Sequence, residues 1–155
     1  MAVLVDTSTL LAFAFARDTN HGAASRILRS LSKETRVVAA PVVTELFYMT
    51  MVRINYVRAV RVFVSTRAAF EIQALAEADM IRMQQIMERY QDAAFDFTDV
   101  AIMAQAERLN ITRICTFDRR DFSIFRPPGI YTGGSVVSGW STRKGNSDCV
   151  LAIDP

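Results

Sequence analysis

The chain has 155 residues, 51% of them hydrophobic and 22% charged, with a net charge of +2 and a mean hydropathy of +0.18. That supplies one domain's core and excludes wholesale disorder. One histidine (His21) and two cysteines (Cys115 and Cys149) cannot build, within one chain, a zinc site of four cysteines, of two cysteines and two histidines, or of three histidines. A serine or cysteine hydrolase would have only His21 as its histidine base. Catalysis is expected to rest on carboxylates, hydroxyls and arginines.

Of the 18 basic residues only Lys33 and Lys144 are lysine, and the planar arginine fork suits a phosphate-bearing partner. The cysteines have no paired spacing, which fits a reducing compartment. The longest apolar runs, residues 10–16 and 37–43, fall far short of a membrane span. The N-terminus has no basic region before its apolar residues, and Asp6 interrupts them. A cytoplasmic protein is therefore expected, with no membrane partner.

Strand and helix signals alternate along the chain. Residues 2–5 suit a strand buried on both faces, followed by hydroxyl residues at 7–9 and a helix beginning at 10–16. A turn at 18–20 leads into a helix over 21–32, and 36–39 form a second strand. Pro41 suits the first turn of the next helix, which carries Glu45 and runs towards Met51. Residues 56–66 form the second arm of a helical hairpin. A strand at 70–75, helices at 76–90 and 98–109, and a fourth strand at 113–117 follow, with Asn110 as helix stop. Residues 129–131 can seed one more short strand. The alternation implies an α/β fold: a central parallel sheet of four to five strands flanked by helices. It spans residues 1–132. Residues 133–155, rich in Gly, Ser and Thr, read as a tail or linker, and whether all of it is native is left open by the sequence.

In an open α/β sheet, functional groups gather outside the carboxyl ends of the strands. Asp6 ends the first strand in VLVDTS and Asp118 the fourth in ICTFDRRDF, while Glu45 lies on the helix after the second strand and Asp99 starts the helix in FDFTDVAIMA. Such a cluster needs a counter-charge, because like charges raise each other's pKa. A divalent cation supplies one, and oxygen ligands without His or Cys select Mg2+ or Mn2+. Each assignment has a rival. Asp6 can serve as a helix cap and Glu45 as a surface residue. Asp96 competes with Asp99 but reads better as an N-terminal cap, and Asp121 competes with Asp118 but reads better as ordering its loop.

The acid followed by Thr-Ser, the P-x-x-x-E segment, the DVAIMAQAE helix and TFDRRDF occur in this order over about residues 1–132. Together they resemble a PIN domain, and among PIN domains the VapC-type toxins of toxin–antitoxin pairs. The resemblance implies a metal-dependent endoribonuclease. Asp6, Glu45 and Asp99 would be its core metal-binding acids and Asp118 a more variable fourth, with Ser8 or Thr116 holding a water or ligand. It also implies an RNA substrate, a homodimer, and an antitoxin that covers the acidic site, with the hairpin over residues 41–66 as the contact surface. Arg119 and Arg120, beside the site, can steer RNA phosphates. With the four acids set aside, 18 basic residues face 12 acidic ones, a balance that suits nucleic acid.

Two other readings stand beside this one. A catalytically silent PIN-like module would bind RNA or protein without cutting, although degenerate members are expected to lose acids and all four positions are filled. A phosphoryl-transfer protein would use Asp6 as nucleophile, but it needs a lysine near a later strand end, and neither Lys33 nor Lys144 is so placed.

Overall fold

β1 (Ala2–Val5) is buried from Val3 to Val5, as a strand covered on both faces must be. In this computed structural model the described residues are 1–126 together with 131–132, 135–136, 140–142 and 150–153. α1 (Thr7–Ala14) and α2 (His21–Ser30) lead to β2 (Thr35–Ala39). The hairpin of α3 (Ala40–Arg53) and α4 (Tyr56–Ala69) leads to β3 (Glu71–Gln73). α5 (Glu77–Arg89), a 3-10 turn at Gln91–Ala93 and α6 (Phe97–Leu109) precede β4 (Arg113–Cys115) and α7 (Arg120–Ile124). Among the described residues no helix is long and apolar enough to cross a membrane.

The expected alternation holds, with shifted edges. α1 starts at Thr7 rather than residue 10, because Asp6 caps it and accepts from the Thr7 and Ser8 amides; a cap starts a helix before its apolar run does. β3 and β4 are three-residue strands, shorter than the expected 70–75 and 113–117. His21 does start α2, but it is half-buried, with Nδ1 3.0 Å from the Ala12 carbonyl oxygen. Asn110 ends α6 in the left-handed conformation, φ 51°, which asparagine tolerates better than most residues.

β1 pairs in parallel with β2 on one side and β4 on the other, and β2 with β3. Beyond β4 the sheet continues antiparallel through β8 (Val150–Ile153) and β7 (Trp140–Thr142). β5 (Tyr131–Thr132) pairs with β6 (Ser135–Val136) in a separate hairpin. Gly129 and Ile130 of the expected fifth strand lie outside the described residues, as does most of 133–155.

The chain runs outward from β1 through β2 to β3 and then returns to place β4 on β1's other side. That reversal opens a crevice at the carboxyl ends of β1 and β4, where such folds bind ligands. The floor is rigid. In α6 the residues from Val100 to Ala106 are all buried, so the helix is a core element with little solvent face. Buried Gln105 ties it to the end of β3 by donating Nε2 to the Gln73 and Ala74 carbonyls at 3.3 and 3.1 Å.

Two carboxylate–arginine pairs join α5 to α6, Arg82–Glu107 and the more deeply buried Asp79–Arg108. Asp79, with 0% side-chain exposure, accepts two hydrogen bonds from Arg108, at 2.7 and 2.9 Å, and one from the Ala76 amide at 2.8 Å. Asp79→Ala leaves the Arg108 guanidinium and a helix-start amide without their acceptor. We expect a loss of about 2–3 kcal/mol, below the fully buried range because Arg108 reaches solvent. Thermal unfolding followed by circular dichroism should show the midpoint falling by roughly 5–10 °C, with Asp79→Asn falling less.

Candidate active site

Asp6 is placed by the strand that precedes it and the helix that follows. Its amide donates to the Cys115 carbonyl at 3.0 Å, so it continues the ladder of β1 on β4 while capping α1. Its Oδ1 accepts from the Thr7 amide at 2.6 Å. Its Oδ2 faces three donors, the Ser8 amide at 3.3 Å, Ser8 Oγ at 2.7 Å and Thr116 Oγ1 at 2.8 Å. Thr116 Oγ1 also lies 2.8 Å from the Asp118 carbonyl oxygen, and its one proton serves one of the two acceptors at a time. Ser8 Oγ accepts from the Phe117 amide at 3.0 Å. Ser8 and Thr116 hydrogen-bond to Asp6 and to the β4–α7 loop.

Glu45 comes from α3, one turn beyond Pro41. Thr7 Oγ1 donates to its Oε2 at 2.6 Å, which fastens the acid of α3 to the start of α1. Asp99 projects from the first turn of α6. Asp118 follows β4, is exposed, and accepts from the Arg120 amide through Oδ1 at 3.2 Å. These four acids line one cavity of about 450 Å³ with Thr7, Ser8, Leu11, Met49, Asp96, Asp121 and Arg120.

The two rivals left aside in the sequence also face this cavity. Asp96 is the N-cap of α6, accepting from the Thr98 amide at 2.7 Å, as its place three residues before Asp99 foretells. Asp121 is buried. It accepts from Arg120 Nε at 2.6 Å and from the Asp96 amide at 3.4 Å, so it links α7 to the N-cap of α6 as well as ordering its own loop. The available signal was the spacing of three in both pairs, since one helical turn carries residues i and i+3 to the same side. Arg120 lines the cavity mouth with a largely exposed side chain, and Arg119 sits at the N-cap of α7.

Crowding shows in the proton affinities. Burial, and then the charges of Asp6, Asp121 and Asp96, push the Asp99 carboxyl up to about 9. Burial raises Asp6 against the pull of the Ser8, Thr116 and Thr7 hydrogen bonds. Burial also raises Glu45, with the Asp96 and Asp6 charges adding to it against the Thr7 hydrogen bond. Among the described residues no three carboxylates form a group able to hold a metal ion as they stand. Glu45 is tied to Thr7, and Asp121 to Arg120. The donor set itself is all oxygen, and its raised proton affinities mark an unmet demand for positive charge. Both features fit a hard divalent cation.

A carboxyl whose pKa rises on folding holds more protons in the folded than in the unfolded chain between its two pKa values. The stability linked to it is therefore complete below the ordinary carboxylate range and is lost as pH rises towards about 9 for Asp99. Calorimetry of the metal-free chain should show its midpoint falling steadily from pH 5 to pH 9, and Asp99→Asn should flatten that slope.

Residues 3–126 match the PIN domain family. Ribonuclease VapC26 of Mycobacterium tuberculosis is 33% identical over 128 residues, covering 82% of this chain and 94% of that protein. Among solved structures, VapC20 of Mycobacterium tuberculosis, described as a sarcin–ricin loop cleaving toxin, aligns with a TM-score of 0.69 at 20% identity, covering 76% of this chain and 90% of that one. VapBC2 from Rickettsia felis, solved with a DNA fragment from its promoter, aligns with a TM-score of 0.67 at 16% identity over 84% of this chain and 96% of that one. At such identities the structural likenesses show a shared fold, while the sequence matches show kinship. The chain belongs to the PIN domain family and is homologous to the VapC-type toxins of type II toxin–antitoxin systems.

Proposed function

We propose that this protein is an endoribonuclease dependent on Mg2+ or Mn2+, the toxin of a VapBC-type pair acting in the cytoplasm. The observation that carries the reading is the convergence of Asp6, Glu45, Asp99 and Asp118, from four separate elements, on one cavity. Kinship with a protein named a ribonuclease supports it. Asp6, Glu45, Asp99 and Asp118 are the acids that would hold the cation, with Asp96 and Asp121 close enough to share its charge.

When bound, a divalent cation supplies charge stabilisation to a phosphodiester and acidifies water. The residues do the positioning. Ser8 and Thr116 hold the Asp6 carboxylate in one orientation, and Thr7 aims Glu45. Arg120, at the mouth, can meet a phosphate through its outward N–H groups once RNA competes with Asp121; Arg119 extends the same basic edge. No side-chain nucleophile is required, consistent with a single histidine.

The partner reading rests on the hairpin. Tyr48, Val52, Tyr56, Val57 and Val64 of α3 and α4 are exposed apolar side chains, a surface suited to protein contact. Four of the solved structures that share the fold are described as toxin–antitoxin or VapBC assemblies. We assign the hairpin to the antitoxin and to a second copy of the chain. A silent binding module remains the competing reading, and what favours it is that the acids do not already form a metal-holding group.

Incubation of the purified chain with total RNA separates the two. Cleavage should require Mg2+ or Mn2+, stop with chelator, and fall on the order of 10³-fold in Asp6→Asn and Asp99→Asn, the equivalent of several kcal/mol of lost charge stabilisation. Cleavage by neither ion would favour the silent module. Mg2+ should also raise the unfolding midpoint of the wild type more at pH 8 than at pH 5, where protons compete for the acids, and should leave Asp99→Asn nearly unmoved.

A further inference from the structure

RNA is a polyanion, and the cavity proposed to cut it is lined by six carboxylates and one arginine. Beyond what Arg119, Arg120 and a bound cation supply at the cavity, affinity for a strand calls for a basic surface elsewhere. The charge map of the chain is uneven in a useful way. Between Glu45 and Glu71 there are four arginines, at 53, 58, 61 and 67, and no acid. Arg58, Arg61 and Ser65 recur at helical spacing along one side of α4. That side, with the end of α1, walls a groove of about 270 Å³ that no carboxylate lines.

The groove holds more than charge. Arg58 Nη2 donates to the Ala14 carbonyl at 3.1 Å, which anchors the side chain and uses one of its five N–H donors. Arg61 is exposed and takes part in no ion pair among the described residues. Phe13 is 46% exposed and stacks on His21 with ring centroids 6.4 Å apart and an interplanar angle of 17°. Phe70 closes the far end, with the Arg36 guanidinium 5.0 Å from its ring centroid. Asp6 caps one end of α1 and Phe13 lies near the other, so about 12 Å of helix separates the groove from the acids.

We propose that this groove binds single-stranded RNA, with Arg58 and Arg61 on successive phosphates, Ser65 as an additional donor and Phe13 stacked against a base. The choice of RNA as ligand rests on the nuclease reading above. An acidic peptide would satisfy the arginines equally. The exposed Phe13 ring, and a distance to the acids that one strand can bridge, favour the nucleic acid.

The test is binding without cleavage. Fluorescence anisotropy of the metal-free full chain with a labelled, unstructured RNA dodecamer is measured over a salt series in chelator. R58Q/R61Q should weaken binding at least tenfold and lower the slope of log Kd against log salt by about 1.4, two phosphates at about 0.7 each. F13A should weaken binding about fivefold and leave the slope unchanged. R26Q/R29Q, which removes equal charge from α2, should change the slope little. Because Arg58 also contacts the Ala14 carbonyl, R61Q alone serves as a second probe and should lower the slope by about 0.7.

Equal effects of the α4 and α2 pairs would reduce the groove to general charge and overturn the proposal, as would a metal-free wild type that binds no RNA. Retained RNA binding in R58Q/R61Q together with lost binding of poly-glutamate would assign the groove to an acidic peptide and overturn it too. A wild type that binds through the groove yet cleaves nothing with Mg2+ or Mn2+ would sustain the groove and sink the nuclease reading instead.

Discussion

The Asp6 carboxylate is buried where β1, α1 and β4 meet, and the hydrogen bonds it accepts close these elements on one another. Thr7 and Ser8 bind it from the helix side and Thr116 from the strand side. Two partners pass the constraint outward, Thr7 to Glu45 on α3 and Thr116 to the backbone at Asp118. One buried acid thus sets the positions of two others. The arrangement is costly without positive charge, since burial and neighbouring carboxylates both favour the protonated forms.

That cost separates what holds the fold from what the site is for. The apolar interior, with α6 buried along most of its length and β1 covered on both faces, is complete without the acids. The Asp79–Arg108 pair ties α5 to α6 away from the cavity. The six cavity carboxylates add crowding even where Asp6, Asp96 and Asp121 tie elements together, and such local conflict is expected at functional positions. The electrostatic surface divides accordingly. Acids gather at the carboxyl edge of the parallel strands, while α4 carries arginines without a compensating acid.

Much of the architecture was legible in the chain. Residues 2–5 are apolar throughout, as a strand covered on both faces requires; Asn110 and Pro41 mark helix boundaries through their backbone preferences alone. Glu45 stood out because it interrupts an apolar helix face. Element edges were less legible, since a cap such as Asp6 or the pairing length of β3 overrides the apolar pattern by one to three residues. Asp96 and Asp121 were visible as rivals of Asp99 and Asp118. The spacing of three put each pair on one side of the chain but did not show that all four acids share one cavity.

The sequence by itself determined the residue types available for chemistry and the alternation of strands and helices, which follow from local rules: period, capping, turn preference and composition. The order of its short motifs carried the resemblance to a family. The tertiary structure alone decided that Asp121 is buried beside Asp96, that Thr7 and Thr116 hydrogen-bond to Glu45 and Asp6, and that Phe13 lines one groove with two arginines of α4. These contacts join residues distant in the chain, and their distances are set by how the layers pack around the sheet. No local propensity records that information.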